Sequence, residues 1–378
     1  MHYSFTPEQE QFRDVVRRFL ADQSPITRVR QTMATTDGID TVLWRRLNDD
    51  LGLAGIHVPE ALGGSGFGNQ ELGIVCEELG RALACLPYLS SAVLASRALR
   101  HGATPDEQAT LLPRLVSGAA TATLAWMEGP HWSGCGDIAL CARTDGDAWR
   151  LDGRKTHVLD GVTADCVVVV ARDEGRDDDG GIGLYLVDGA ASGLHRRALA
   201  SIDATRPLAE LEFAGVTAQR LGRAGSGAAA LARTLDDGAV ALAHELVGAA
   251  QAVLEASVEY ARLRMQFGRP IGSFQAIKHK CANLLLELEL AKAAVYYAAA
   301  ARDAGDIDSA ALASQAKAQA SEAALACARE AIQIHGGIGF TWDQDTHLWF
   351  KRVTCAAVLL GDAAWHRERF LALTERAA

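Results

Sequence analysis

The sequence predicts a mainly α protein with a β insert: an N-terminal helical domain, a central antiparallel β-barrel-like domain and a C-terminal four-helix bundle. We place these domains at residues 1–120, 121–224 and 225–378 of the 378-residue chain. Three observations predict this order. Helical periodicity continues to about residue 120, β-rich runs begin at Thr121, and long alanine-rich helical runs follow Gly225.

The N-terminal part alternates helical patterns with short breakers. Its first helix is amphipathic and starts behind Thr6-Pro7, a typical cap and first-turn pair. The breaker at residues 59–68, PEALGGSGFG, is similar to a dinucleotide-binding glycine loop. It follows one short helix rather than a βαβ unit, so we interpret it as a mobile turn.

The central part consists of short β-rich runs divided by Gly and Asp turns, among them ATATLAW, DCVVVVARD, IGLYLVD and LAELEFAGV. Alternation and β-branched residues are typical of strands. Residues 173–181, DEGRDDDGG, hold many carboxylates but lack the ligand spacing of a calcium loop. This pattern favours a solvated hairpin tip.

The helices after Gly225 are long and apolar over much of their circumference. Ser273 and Ser309 are typical N-caps, and Gly336-Gly337 is a typical helix stop. Because one apolar stripe would suffice for a bundle core, the additional apolar faces predict burial against a partner subunit. We therefore expect an oligomer.

Composition excludes several classes of protein. The net charge is −10 and no segment concentrates Lys and Arg, which argues against a nucleic-acid partner. No signal-peptide pattern and no apolar run of the ~18 residues that span a bilayer are found, so we expect a cytoplasmic protein without a membrane partner. The eight cysteines are scattered, without metal-ligand spacing, so we expect reduced cysteines and no metal.

Two segments after Gly225 have distinctive motifs: residues 264–275 read RMQFGRPIGSFQ, and residues 333–340 read QIHGGIGF. They resemble the R-x-x-F-G-x-x-I-x-x-F-Q and Q-x-x-G-G-x-G-[FY] signatures of the acyl-CoA dehydrogenase family. Residues 58–68 follow its P-E-x-x-G-G loop. The resemblance spans essentially the whole chain. It implies FAD as cofactor, an acyl-CoA substrate oxidised between its α and β carbons, an electron-transfer flavoprotein as electron acceptor, and a homo- or hetero-tetramer.

The resemblance also implies residues that contact the FAD of a neighbouring subunit: Arg264, Phe267, Phe274, Gln275, Gln333, Gly336 and Gly337. Their chemistry suits this role. A flavin dinucleotide needs cationic donors for its pyrophosphate, a flat apolar surface for its adenine, and glycines where backbone comes close. The alternative is a solvated arginine and an ordinary helix stop.

The sequence departs from the family in the central domain. Where the family has T-E-x-x-x-G-S-D-like and W-I-[ST]-N-G-like stretches against the flavin ring, residues 127–134 read MEGPHWSG and residues 157–161 read HVLDG. The Thr, the Trp and the second hydroxyl are missing. The flavin ring is therefore expected to sit differently or not to be held by this domain.

The catalytic base is the second departure. A carboxylate that removes the α proton needs a dry site close to the thioester carbonyl. The family's usual Glu position is occupied by Leu360, and its minority position by Gly238. Glu245 is the best remaining candidate, because it lies two turns beyond Gly238 on the same helix face among apolar neighbours. The alternative for Glu245 is an ion pair inside the bundle.

Other carboxylates are poorer candidates for the base. Asp236 and Asp237 precede Gly238, and Asp362 is typical of an N-cap for the terminal helix.

Three functions stay open on the sequence. The leading hypothesis is an FAD-dependent acyl-CoA dehydrogenase. The rival is a non-catalytic partner subunit of a two-chain tetramer of this fold, which the missing Glu favours. A flavin monooxygenase or acyl-CoA oxidase of the same fold has no motif of its own here.

Overall fold

The computed structural model describes residues 5–146 and 148–375, with helices at both ends of the chain and strands between them. The helices are α1 Pro7–Gln23, α2 Ile26–Thr32, α3 Thr41–Leu51, α4 Asn69–Arg81, α5 Ser96–Gly102, α6 Pro105–Val116, α7 Gly227–Leu263, α8 Gln275–Asp303, α9 Ser309–His335, α10 Thr346–Val358 and α11 Ala363–Glu375. The strands are β1 Ala122–Ala125, β2 Cys141–Asp145, β3 Ala148–Leu159, β4 Cys166–Asp173, β5 Ile182–Asp188, β6 Leu194–Leu199, β7 Leu208–Leu221, β8 Met265–Gln266 and β9 Arg269–Pro270.

The chain divides into two compact units. The helical unit takes in the chain up to Gln31, then Gly68–Ala84, and the chain from Ala239 onward. The mixed unit takes in Thr32–Phe67 and Cys85–Gly238, which include every strand of the large sheet.

The large sheet closes on itself. Strand β4 pairs with β2 and β5, β2 with β3, β3 with β7, and β7 with β5, so five strands form a ring to which β1 and β6 add at the outside. The antiparallel prediction holds for most pairings and is wrong for two, because β1 and β2 both run parallel to β4. Parallel neighbours need a long connection, and the β2–β3 hairpin provides it between β1 and β4.

The interior of the ring is filled mostly by alanine and valine side chains, with a few leucines and two aromatic rings. Because successive side chains of a strand point to opposite faces, alternate residues enter this core. It contains Ala125, Leu140, Ala142, Leu151, Val158, Val167, Val169, Ala171, Tyr185, Val187, Ala209, Leu211, Phe213, Val216 and Ala218. The acidic run at 173–181 joins the antiparallel strands β4 and β5, as predicted for a hairpin tip.

A π-helical segment, Tyr88–Ala95, leads into α5. Its two adjacent serines are fully buried and both bind the sheet part of the mixed unit. Ser90 donates to the carboxylate of Asp160, and the Ser91 hydroxyl accepts a hydrogen bond from the backbone N–H of Ala122 at 3.0 Å. The segment therefore fixes β1 and the β3 end to the preceding helices.

Helix ends follow local chemistry with two corrections. Thr6 caps α1 through a capping box with Gln9, as the Thr6-Pro7 pair predicts. The predicted caps Ser273 and Ser309 are wrong by one position: α8 is preceded by Phe274 and α9 by Asp308. At α8 the prediction is wrong because Ser273 belongs to a 3-10 turn over Ile271–Ser273, and the α-helix starts only after that turn.

The helical unit packs α8, α10 and α11 around α9, and α4 against α1 and α8. Helix α4 also approaches α7 at very short range. A methyl group at Gly248 of α7 would lie 1.9 Å from the carbonyl oxygen of Glu77 in α4. Only glycine permits this contact, so the closeness of the two helices depends on that residue.

Helix α7 is long and apolar enough to cross a membrane by length and composition. Its most apolar window is 78% buried within the structure. Such burial is typical of a core helix.

Candidate functional site

The first predicted motif forms a tight hairpin after α7. Strands β8 and β9 pair through Met265↔Pro270 and Gln266↔Arg269, and the two turn residues Phe267 and Gly268 have φ of 52° and 74°. Two successive positive φ values are typical of a type I′ turn. The turn projects Phe267 outward, and this residue is 90% exposed.

Arg264 lies at the base of this hairpin. Its backbone N–H donates to the Tyr260 carbonyl at 2.8 Å, and its own carbonyl accepts from the N–H of Ile271 at 2.8 Å. Arg264 is an exposed residue. Within residues 5–146 and 148–375, no carboxylate lies in ion-pair range of its guanidinium. A cation fixed at its backbone and without a protein counter-ion is well suited to bind an anion.

The second predicted motif meets Arg264 at a pocket of 320 Å³ on the helical unit. The lining residues are Tyr260, Arg264, Gln266, Ile271, Ile334, His335, Gly336, Gly337 and Ile338. Gly336 ends α9 with φ of 66°, and added methyl groups at Gly336 and Gly337 would meet no other atom within 4 Å. The pocket thus presents bare backbone to a ligand.

Sequence reasoning missed the floor of this pocket. Tyr260 and His335 stack with ring centroids 4.3 Å apart and an interplanar angle of 24°. The Nδ1 of His335 lies 2.8 Å from the Ala331 carbonyl, which can only accept, so Nδ1 carries the proton. Burial lowers the pKa of His335, which favours the neutral form of the ring. The sequence signal that could have revealed this stacked pair is the position of Tyr260, one helical turn before Arg264.

The remaining predicted contacts lie outside the lining. The rings of Phe267 and Phe274 meet edge to face at 6.1 Å, and the guanidinium carbon of Arg269 lies 4.0 Å from the Phe274 ring centroid. Gln275 and Gln333 are exposed residues at the first turn of α8 and the last turn of α9. The structure thus brings together Arg264, Gly336 and Gly337. The roles of all seven residues in cofactor binding stay predictions.

In the mixed unit, the segment that departs from the family is firmly braced. The ammonium of Lys155, a fully buried residue, donates to Glu128 at 2.6 Å and to the carbonyl of Trp126 at 3.1 Å. Burial lowers the pKa of Lys155 to about 8. Glu128 also accepts from the backbone N–H groups of Ala139 and Leu140, both at 2.9 Å. The loop beyond β1 is therefore held without the missing Thr.

The HVLDG segment next to this brace is strained. His157 and Asp160 both adopt positive φ, 53° and 51°, which non-glycine residues do rarely. The Nδ1 of His157 is buried and makes no hydrogen bond within the part of the chain that the structure describes. Strain and an unpartnered buried nitrogen are typical of a ligand-facing position.

Glu245, the predicted base, is 7% exposed and forms an ion pair with Arg352 of α10, at 3.0 Å from its Nη1. Helix α4 packs against it so closely that a methyl group at Gly80 would lie 2.1 Å from the Glu245 carbonyl. This is the ion pair that the sequence left as the alternative for Glu245. Its partner is 107 positions away in the chain, where no sequence pattern could reveal it.

The usual base position, Leu360, lies in a turn that is tightly held. Leu360 has φ of 63°, and the buried Lys317 donates to the carbonyls of Ala357 at 3.0 Å and Gly361 at 3.1 Å. Burial lowers the pKa of Lys317 to about 7, opposed by nearby Asp362.

The poorer candidates for the base are also engaged in the structure. Asp362 accepts from the N–H of Trp365 at 2.8 Å, the capping role that the sequence predicts. Asp237 is buried beside His101 and Arg97.

Comparison with known proteins identifies similar chains along the whole length. Three domain models match in order: "Acyl-CoA dehydrogenase, N-terminal domain" over residues 6–119, the middle domain over 128–216 and the C-terminal domain over 225–372. The acyl-CoA dehydrogenase IpdE2 of Mycobacterium tuberculosis is 35% identical over 355 residues, which are 93% of each chain.

Two solved structures are also similar. The Tcur3481–Tcur3483 steroid ACAD has a TM-score of 0.88 at 32% identity and covers 98% of both chains. The ChsE4–ChsE5 complex from Mycobacterium tuberculosis has a TM-score of 0.88 at 27% identity, covering 98% of this chain and 97% of that one.

Proposed function

This chain belongs to the acyl-CoA dehydrogenase family, and from this premise we propose that it carries out FAD-dependent α,β-dehydrogenation of an acyl-CoA thioester. In this reaction a proton leaves the α carbon and a hydride leaves the β carbon. The chemistry that bound FAD supplies is acceptance of that hydride. The observation that carries the proposal is the pocket in which Arg264, which has no carboxylate partner in the described part of the chain, meets the bare backbone of Gly336 and Gly337.

The residues present fit a flavin dinucleotide on the helical unit. Arg264 offers a charge-assisted bond to a pyrophosphate oxygen, and Gly336 and Gly337 leave room for the backbone to approach it. The exposed ring of Phe267 offers a flat apolar surface for an adenine. We propose that Phe274, Gln275 and Gln333 complete this contact with a cofactor shared between subunits.

The mixed unit supports a ring contact through backbone groups. The Lys155–Glu128 brace holds Met127, whose carbonyl accepts from the N–H of Thr156 at 2.8 Å. Any side chain can present such backbone groups, so the loss of Thr and Trp side chains does not remove them. The buried, unpartnered Nδ1 of His157 adds a polar atom to the same segment.

We propose Glu245 as the base. Because Glu245 forms an ion pair with Arg352, the test needs a control variant at Arg352. In the Glu245→Gln variant, we expect anaerobic bleaching of the flavin by an acyl-CoA to stop while FAD stays bound. The matched control is Arg352→Lys, which keeps the positive charge. Unchanged bleaching in Glu245→Gln would leave Glu245 as a structural residue.

A second candidate function is a non-catalytic subunit that lends its helical unit to a partner's active site. The observation that favours it is the buried Glu245–Arg352 pair, together with Leu360 and Gly238 at the two usual base positions. One related structure is described as the ChsE4–ChsE5 complex, and another carries the two protein names Tcur3481–Tcur3483. We propose a tetramer, and in this second case a tetramer of two kinds of chain.

The visible absorbance spectrum separates the two candidates. We expect the chain expressed alone to carry about one FAD per chain and to be reduced by an acyl-CoA if it is the enzyme. If it is the partner subunit, the complex purified from its own cells will contain about one flavin per two chains, and the chain alone will not be reduced.

Several finer assignments accompany the proposal. We propose domain bounds of 1–120, 121–224 and 225–378, supported by the change from helix to strand at Ala122 and back at Gly227. The packing of α8, α10 and α11 on α9 supports the proposed C-terminal four-helix bundle. We further propose a cytoplasmic enzyme that passes electrons to an electron-transfer flavoprotein. A large or branched acyl group, such as a sterol side chain, suits the small residues around Glu245.

A further inference from the structure

A pocket of 400 Å³ lies at one end of the closed sheet, inside the mixed unit. Its walls come from the first residues of β3, the middle of β5 and the end of β7. Ligand pockets of this size typically combine apolar and aromatic side chains with a few polar groups, and the mouth of a barrel is a frequent place for them. The lining includes Trp149, Leu186, Ala218 and Arg220, with Thr217 and Gln219 at the exposed rim.

Arg220 belongs to the inner face of the ring of strands. Side chains alternate along a strand, so Arg220 shares its face of β7 with the core residues Val216 and Ala218. A cationic group in such a place needs a partner. Asp173 provides one, because both of its carboxylate oxygens accept from Nη1 of Arg220, at 3.0 and 2.8 Å. This ion pair engages one nitrogen of the guanidinium.

The other two nitrogens of Arg220 are left with unused donors. Nε and Nη2 are buried and make no hydrogen bond within the part of the chain that the structure describes. Unmet donors on a buried charged group are costly, and each such group requires an explanation. On a guanidinium, Nε and Nη2 form one edge whose parallel N–H groups match the two oxygens of a carboxylate. An anion bound at this edge would satisfy both nitrogens.

Aromatic rings hold the guanidinium in place. Its central carbon lies 5.0 Å from the Trp149 ring centroid and 5.6 Å from that of Tyr185. Tyr185 is fully buried, and its hydroxyl donates to Asp173. Burial raises the pKa of this hydroxyl, which therefore keeps its proton. Because Arg220 is already fixed, it loses little side-chain entropy when it binds a ligand.

The surroundings favour a singly charged carboxylate with an apolar body. Asp173 already lies on the guanidinium, so a phosphate dianion would meet more repulsion than a monocarboxylate. Trp149 and Leu186 offer apolar surface in the same pocket. The Thr217 hydroxyl accepts from Arg150 at 2.7 Å and has its own hydrogen to donate to a ligand oxygen.

We propose that this pocket binds a small organic monocarboxylate, with its two oxygens on Nε and Nη2 of Arg220 and its apolar part against Trp149 and Leu186. The inference goes beyond the proposed function, because the pocket shares no residue with the pocket of Arg264 or with the segments assigned to the flavin ring. Nε and Nη2 are covered in this structure and the Trp149 ring lies over the guanidinium, so binding displaces this ring.

Calorimetry with phenylacetate and its neutral analogue phenylacetamide tests the charge requirement on the FAD-loaded protein. We expect the dissociation constant of the acid to be at least about tenfold lower than that of the amide. Arg220→Lys keeps the charge beside Asp173 but loses the two parallel donors, so it should weaken acid binding by at least about tenfold. Arg143→Lys, in the half-exposed pair with Asp152 on the same sheet, is the matched control and should bind as the unaltered chain does. Equal binding of acid and amide, or no binding of the acid at ~10 mM, would overturn the proposal.

Gln219→Glu tests the same site without altering a buried residue. Gln219 is exposed at the rim of the pocket, so the substitution should leave the fold intact. A carboxylate there repels the acid but not the amide, and we expect about threefold weaker binding of phenylacetate with no change for phenylacetamide. Unchanged acid binding in both Gln219→Glu and Arg220→Lys would place the ligand elsewhere in the protein.

Indole fluorescence and competition locate the ligand independently. Because binding displaces the Trp149 ring, the fluorescence of the unaltered protein should change with phenylacetate, and Trp149→Phe should abolish that change. A saturating acyl-CoA should leave the dissociation constant of phenylacetate unchanged. A fluorescence change retained in Trp149→Phe, or displacement of phenylacetate by the acyl-CoA, would contradict the proposal.

Discussion

At the scale of single residues, Arg264 has the clearest consequence for cofactor binding. Within the described ranges 5–146 and 148–375, no carboxylate of the pocket can pair with the Arg264 guanidinium, so a bound pyrophosphate would be its counter-ion. Arg264→Ala should therefore weaken FAD binding by about 1.5–3 kcal/mol, or roughly 10–150-fold in Kd. Flavin retained on serial dilution measures this. Arg262→Ala, at an exposed residue two positions earlier, is the control, and equal flavin loss from both variants would remove the specific role of Arg264.

The Glu245–Arg352 pair is expected to matter for folding whatever its catalytic role. Removing one partner takes away one charge of a buried ion pair, so Glu245→Gln or Arg352→Met alone should lower the free energy of unfolding by about 3–5 kcal/mol. The double variant should recover much of this loss. Arg367→Met, in the half-exposed pair with Glu322, should cost under about 1 kcal/mol. Additive losses in denaturant unfolding would show that the pair is not coupled.

At the scale of elements, replacing Gly248 by alanine has two opposing effects on the free energy of unfolding. Alanine in a helix interior is favoured over glycine by about 1 kcal/mol. The added methyl group would, however, lie 1.9 Å from the Glu77 carbonyl and push α4 away from α7. We expect Gly248→Ala to lower the free energy of unfolding by at least about 2 kcal/mol. Gly136→Ala, where a methyl group meets nothing within 4 Å, is the control. A stabilised Gly248→Ala protein would show that helix propensity dominates.

The elements also show which parts of the fold could be predicted from the sequence. The start of α1 at Thr6 and the end of α9 at Gly336 depend on local chemistry, and both are confirmed. The parallel pairing of β1 with β4 could not be predicted, because it joins residues more than 40 positions apart that no single turn connects. The same limit applies to the candidate site: Arg264 and Gly336 stand in local motifs, whereas the partner of Glu245 comes from another helix.

At the scale of the whole molecule, Lys317 links stability to pH. Burial lowers its pKa to about 7, from about 10.4 in an unfolded chain. Below pH 7 the lysine is charged in both states, and the cost of burying the charge is fully present. Between pH 7 and about 10 the native state loses the proton first, so stability rises with pH.

Lys317→Met tests this linkage. Between about pH 7 and 9, the unaltered protein should gain about 2 kcal/mol of stability relative to the variant. Urea unfolding at the two pH values measures the difference, in which contributions of other groups cancel. A constant difference across this range would place the pKa of Lys317 elsewhere.

The two buried lysines have a further, calorimetric consequence. Lys317 and Lys155, with pKa values of about 7 and about 8, are largely neutral in the native protein at mildly alkaline pH and become charged when the chain unfolds. Unfolding near pH 8.5 should therefore take up roughly two protons from the buffer through these groups. The heat of unfolding will then include the ionisation heat of the buffer. Scans in Tris and in a buffer of low ionisation heat should differ, and the Lys317→Met, Lys155→Met double variant should remove most of that difference.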